Sequence, residues 1–244
     1  MRPFYQRECS RILTITLLLG IFLIPSQILS ATIQTVRYGS SQNFKGLFIQ
    51  PDGPKRFPII LYNYDQTFDW LGEKGAKNSG YDLRELMQIF CDHGYAVFVP
   101  IERFRKISAI KDSIDFLERQ NQIDLQDLHM VGLSEGAFLS LLVQGDLKVP
   151  VRSVTAISPI PFNDTGHFSL SELKNHVSDI QCPVLVLYGK LERKKTLRQV
   201  KAILKVLQDS PAEITFQEFP TNKEGFWKGD SEFMTVIYDF MAEH

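Results

Sequence analysis

One stretch of the chain carries residues whose types and spacing suit nucleophilic chemistry. In "LHMVGLSEGAFLSLLV", Leu128 to Val143, an apolar strand-like run leads to Gly132-Leu133-Ser134-Glu135-Gly136, and an apolar-faced helical run follows. This is a G-x-S-x-G pattern with a strand before it and a helix after it. The triplet alone arises by chance; the strand–turn–helix context does not come with it. A sharp turn there holds Ser134 in a cramped backbone conformation, and Gly132 and Gly136, lacking Cβ atoms, let neighbouring backbone pass close. The hydroxyl then projects beside backbone N–H groups at a helix start, where negative charge is stabilised. Such a serine attacks acyl carbons, provided a base takes its proton and an acid orients the base.

The elements that must position Ser134 follow from the pattern around it. Ile33 to Tyr38 and Gly46 to Gln50 alternate apolar and polar positions, which predicts an opening hairpin. "FPIILY", Phe57 to Tyr62, is a continuous apolar run, as in a strand covered on both faces. Leu83 to His93 has helical spacing and stops at Gly94. Ala96 to Pro100 is the next strand, and Ile107 to Arg119 an amphipathic helix. After the Leu128 strand and its helix come a strand at Val154–Ser158, a helix at Leu170–His176, a strand at Val184–Tyr188, a helix at Leu197–Leu207, a strand at Ile214–Phe219 and a last helix at Phe233–Ala242. Alternation of this kind implies an α/β domain with a mostly parallel sheet.

With these residues in view the chain resembles the α/β-hydrolase fold, in particular its dienelactone-hydrolase-like and short prolyl-oligopeptidase-like members. "HGYAVFVP" at His93–Pro100, "CPVLVLYGKLE" at Cys182–Glu192 and "ITFQEFPTNKEGFW" at Ile214–Trp227 carry the resemblance besides the elbow. It implies a mostly parallel eight-stranded sheet with helices on both faces, over roughly residues 32 to 243. It also implies a serine, acid, histidine order along the chain. Ser134 takes the first place. Glu192, three residues past Gly189, takes the second as orienting acid; the plainer alternative is a loop carboxylate salted by Arg193 or Lys190. Glu224 stands where histidine is expected, in Lys223-Glu224-Gly225-Phe226. A carboxylate with a reference pKa of about 4.3 is a weaker base than imidazole at about 6.5. Of the five histidines only His167, in a loop leaving the C-terminal end of a strand, offers an alternative base. His129 lies five residues before Ser134, about 16 Å along an extended strand and toward its wrong end.

The resemblance places the oxyanion donors at the backbone N–H of Gln66 or Asp65, together with that of Glu135. Where the family has a histidine and a glycine, this chain has Tyr64 and Asp65, and the expectation is that Asp65 and Asp69 are turn residues with their side chains in water. Tyr62, Tyr64, Phe68 and Trp70, with Phe226 and Trp227, either line an apolar pocket above Ser134 or simply pack the loops. The short connections at Ile101–Lys106 and Pro159–Ser169 predict no large lid and a site open to water.

The first residues read as a targeting segment. Arg2, Arg7 and Arg11 precede an apolar run, Ile12 to Pro25, that falls short of the about 20 residues a membrane span needs, and Ser26, Ser30 and Ala31 follow. The expectation is a signal peptide over residues 1–31, a hydrolase-like domain over 32–244 and export; membrane attachment follows only if the segment is retained. Cys91 and Cys182 would remain, and their isolated placement predicts buried thiols rather than a bridge. A formal net charge of −1 argues against nucleic acid as partner. No metal-ligand spacing, phosphate loop or dinucleotide fingerprint occurs, so no metal and no cofactor is implied. Two readings stand: a serine hydrolase acting on a small ester or acyl substrate, weak or altered because of Glu224, or a non-catalytic relative that binds a small acyl or peptide ligand.

Overall fold

The computed structural model describes residues 31–102, 106–163, 166–221, 226 and 231–244. The expected signal segment and Glu224 lie outside them. The eight strands are β1 (Gln34–Tyr38), β2 (Phe44–Ile49), β3 (Phe57–Asn63), β4 (Ala96–Ile101), β5 (Ile123–Leu133), β6 (Ser153–Ile157), β7 (Val184–Gly189) and β8 (Ile214–Phe219). They form one sheet in the order β1-β2-β4-β3-β5-β6-β7-β8. β2 runs antiparallel to β1 and β4, and every other pairing is parallel. The helices are α1 (Thr67–Asn78), α2 (Leu83–Asp92), α3 (Lys106–Leu117), α4 (Glu135–Val143), α5 (Leu170–His176), α6 (Lys194–Leu207) and α7 (Ser231–Glu243).

Two apolar layers sandwich the sheet. One holds Phe98, Met130 and Val186 against Ile110 and Ile114 of α3, Phe138 and Leu141 of α4, Leu173 of α5 and Ile203 of α6. The other holds Ile60, Val99 and Val131 against Phe68 of α1, Leu86 and Phe90 of α2 and Phe233 and Ile237 of α7. This double cover explains why β3 and β7 are unbroken apolar runs. Asp82 caps α2 by accepting from the N–H groups of Arg84 and Glu85 at 3.1 and 3.3 Å, and Gly94, with φ 92°, turns the chain out of the helix into β4. Cys91 and Cys182 are buried free thiols, as expected, with burial pushing their pKa values up to about 11 and about 12.

One helix is absent from the pattern read in the sequence. Residues assigned there to an aromatic loop form α1, which is kinked at Gly72 with φ 70° and ψ 173°. The kink and the second glycine at Gly75 break the apolar period that marks α2 and α6.

β5 is longer than the sequence suggested, and His129 sits inside it, 1% exposed. Its Nδ1 lies 2.8 Å from Ser153 Oγ and its Nε2 3.2 Å from Asp127 Oδ1. Burial, with Arg152 and His244 adding to it against the pull of Asp127, lowers its pKa to about 4. The unfolded histidine titrates near about 6.5, so between these values the unfolded chain binds the extra proton. The neutral ring's contribution is therefore full above about pH 6.5 and is lost as pH falls toward about 4, at a cost of about 3 kcal/mol. His129→Gln is expected to flatten the loss of melting temperature between pH 7 and pH 4 relative to the parent, read by thermal melts across that range.

Candidate active site

Strand order reverses around β3: the chain passes from β3 to β4 on one side and from β4 to β5 on the other. Crevices form at the C-terminal ends of strands at such a point. The loops after β3, β5, β6 and β7 carry Tyr64 to Gln66, Ser134, Ser158 and Glu192 to that one edge.

Ser134 joins β5 to α4 with φ 59° and ψ −119°, a region that residues with a Cβ rarely occupy. The surroundings hold it there. Its N–H donates to Ile157 O at 2.8 Å, and its carbonyl accepts from Phe138 N at 3.2 Å and Ile160 N at 3.3 Å. The flanking glycines are required by contact. A Cβ on Gly132 would stand 2.5 Å from Ala137 Cα, and one on Gly136 would stand 2.2 Å from Asn63 O. Asn63 Nδ2 donates to Ser140 Oγ at 2.8 Å, and that hydroxyl donates to Gly136 O at 3.0 Å, which ties the end of β3 to the first turn of α4.

Glu192 reaches the same edge. Ser158, also left-handed at φ 45° and fully buried, donates its hydroxyl to Glu192 Oε1 at 2.8 Å. Two adjacent residues of one strand end thus anchor both candidates: Ile157 holds the Ser134 backbone and Ser158 holds the Glu192 carboxylate. The loop of Glu192 is tied onward, since Leu191 N donates to Thr221 O at 2.8 Å and Lys190 N to Phe219 O at 2.8 Å. Ser158 was not singled out in the sequence, because a serine at a strand end has no local signature. A hydrogen bond to a carboxylate is worth about 1.5–3 kcal/mol. Ser158→Ala is expected to lower stability by about 2 kcal/mol in denaturant melts, with the fold retained by circular dichroism.

The oxyanion candidates both sit at helix starts. Gln66 is the N-cap of α1 and Glu135 is the first residue of α4. The expectation for the neighbouring carboxylates is corrected. Asp65 is 2% exposed, accepts from Thr67 N at 2.7 Å and donates its own N–H to the Tyr81 hydroxyl at 3.3 Å. The Tyr81 hydroxyl in turn bonds that of Tyr62 at 2.8 Å. Burial first raises both phenol pKa values, so the two hydroxyls stay neutral. The Asp69 carboxylate is also turned inward: it pairs with Lys106 at 2.6 Å and accepts from the Tyr64 hydroxyl at 2.8 Å. Both acids cap and pin the loop after β3 rather than standing in water.

The aromatic cluster divides. Tyr62, Tyr64, Phe68 and Phe226 are buried, with Tyr62 stacked on Phe226 at 6.4 Å and Tyr64 against Phe68 at 5.0 Å. They pack the loops on the sheet. Trp70 stands 64% exposed on α1, and Trp227 lies outside the described residues. His167 projects into solvent beside Glu172, its Nδ1 3.3 Å from Oε1, with its side chain 91% exposed. The expected open site is corrected at Ser134, which is 2% exposed.

The fold and the elbow define the class: this is an α/β-hydrolase fold. Solved structures of that fold align along most of the chain. A protein from Klebsiella pneumoniae assigned as a dienelactone hydrolase aligns with TM-score 0.68 and 13% identity over 88% of this chain and 99% of its own. A Pyrococcus furiosus esterase aligns with TM-score 0.65 and 13% identity over 96% of each chain. Pyrococcus horikoshii acylaminoacyl peptidase aligns with TM-score 0.64 and 14% identity over 84% of this chain, which spans 41% of that one. No protein-family model and no curated protein matches the sequence.

Proposed function

We propose that this chain is an exported hydrolase of small esters or related acyl bonds, working through Ser134. The backbone of Ser134 carries the reading: φ 59° and ψ −119° at a strand-to-helix turn is the strained geometry that a nucleophile elbow uses. The structural neighbours named as esterase and acylaminoacyl peptidase support it. In this mechanism Ser134 Oγ attacks the acyl carbon while its proton passes to the Glu224 carboxylate, with Glu192 ordering the same edge. The backbone N–H groups of Gln66 and Glu135 donate to the oxyanion. Glu224 returns the proton to the departing alkoxide as the acyl C–O bond breaks, and water then releases the acid. With a carboxylate as base, turnover is slow. Residues 1–31 are removed on export. Substrates are small molecules rather than nucleic acid.

The second reading, a non-catalytic binder of a small acyl or peptide ligand, draws support from the 2% exposure of Ser134 and from the buried carboxylate of Asp65 beside the oxyanion donors. A fluorophosphonate probe separates the two. Labelling of the protein that disappears in Ser134→Ala is the expected result; a folded protein that takes no label establishes the binder. Glu224→His is expected to raise ester hydrolysis by about 100-fold, the usual span of an added general base, and no gain would remove Glu224 from the role of base.

A further inference from the structure

Beside the candidate site, Pro161, Leu170, Lys195, Arg198, Gln199 and Ala202 enclose a cleft of about 280 Å³. Two of its walls continue the segments that hold the site, and α5 adds Leu170. Pro161 follows Ile160, whose N–H bonds the Ser134 carbonyl, and α6 begins two residues after Glu192. Lys195, Arg198, Gln199 and Ala202 fall at i, i+3, i+4 and i+7, one stripe of α6. Pro161, Leu170 and Ala202 are half-buried and apolar, while Lys195 and Arg198 are exposed at the rim. The size falls just under the about 300 Å³ at which small-molecule sites begin.

Charge selects the occupant. From Lys190 to Lys205 the chain is rich in lysine and arginine and holds one acid, Glu192, in a protein of net charge −1. Glu192 is engaged by Ser158, and Glu172 of α5 by the Phe168 N–H and His167. Among the described residues neither Lys195 nor Arg198 forms an ion pair. An apolar trough with two uncompensated cations at its lip suits a short alkyl chain ending in a carboxylate. The chain covers Pro161, Leu170 and Ala202; the carboxylate meets the guanidinium and ammonium, with Gln199 as a further donor.

We infer that this cleft is a subsite for the anionic, amphiphilic part of the substrate, so that the hydrolase prefers acyl groups bearing a free carboxylate. The assignment of substrate class rests on the hydrolase reading; the binding itself does not. Titration calorimetry on the whole protein carrying Ser134→Ala reads binding without turnover. Octanoate is expected to bind about tenfold more tightly than 1-octanol and to weaken as salt rises from about 50 to about 500 mM. Lys195→Gln with Arg198→Gln should cost octanoate about tenfold and leave octanol unchanged, while Lys205→Gln, farther along α6, should change neither. Equal binding of acid and alcohol, or an equal loss in Lys205→Gln, would overturn the subsite, the latter by showing a diffuse charge effect. With the parent chain, the monomethyl ester of suberic acid should exceed the dimethyl ester in kcat/KM by about tenfold. Octanoate binding with neither ester hydrolysed would keep the subsite and remove the hydrolase reading. Hydrolysis without charge preference would keep the hydrolase and remove the subsite.

Discussion

Gly136→Ala is expected to be the most damaging single methyl that can be added near the elbow, lowering stability by about 4 kcal/mol or more. The added Cβ would stand 2.2 Å from Asn63 O, 2.5 Å from Asn63 C and 2.6 Å from Tyr64 O. All three atoms are backbone. No rotamer change relieves them, so either α4 lifts off β3 or the loop carrying Gln66 moves. Ordinary overpacking costs about 1–3 kcal/mol because side chains can shift, and that escape is closed at Gly136. Gly80→Ala makes the control: φ 93° strains the backbone there, but nothing lies within 4 Å of the new Cβ, so the loss should be about 1 kcal/mol. Urea melts of the two variants give the comparison. Equal small losses would mean that α4 and β3 do not approach as closely as the elbow requires.

Gly136 also shows which parts of the molecule local sequence can specify. The elbow is a local object: a strand, a turn needing small neighbours and a helix are contiguous, so five residues announce it. The strands at Phe57 and Val184 were legible for a similar reason, since burial on both faces writes an unbroken apolar run. α1 was not, because a helix broken at Gly72, where φ is positive, has no single apolar face to read. The partners of the site were least legible. Ser158 meets Glu192 across 34 residues, and Lys106 meets Asp69 only because β4 returns beside β3. Asp65 and Asp69 looked like solvated turn carboxylates by residue type, and only their tertiary neighbours draw them out of water. Side-chain pairing at long range is decided by topology, which the periodicity of a segment does not encode.

The Lys106–Asp69 pair carries the second large effect. Lys106 Nζ lies 2.6 Å from Asp69 Oδ2, with 13% and 7% of the two side chains exposed. The same ammonium sits 4.2 Å over the ring of Tyr64, whose hydroxyl donates to Asp69 Oδ1 at 2.8 Å and to Glu102 O at 3.4 Å. One carboxylate thus joins α1, the start of α3 and the loop that presents the Gln66 N–H. Removing only the cation leaves an enclosed charge without its counterion, and such losses run to about 3–5 kcal/mol. Lys106→Met is therefore expected to destabilise by about 4 kcal/mol. The double variant Lys106→Met with Asp69→Leu should recover more than half of it, because a buried ion pair exchanged for apolar groups of similar size is often close to neutral. The resulting coupling, at least about 2 kcal/mol in a double-mutant cycle, measures the pair apart from the packing of the lysine stem. The cycle also bears on chemistry. If the pair sets the loop, the double variant regains stability while the Tyr64 hydroxyl loses its carboxylate, so Ser134-dependent probe labelling should stay depressed as the melting temperature recovers. Labelling that recovers together with stability would show that apolar packing alone places the Gln66 donor, and that the ion pair serves only to neutralise two charges the fold happens to enclose.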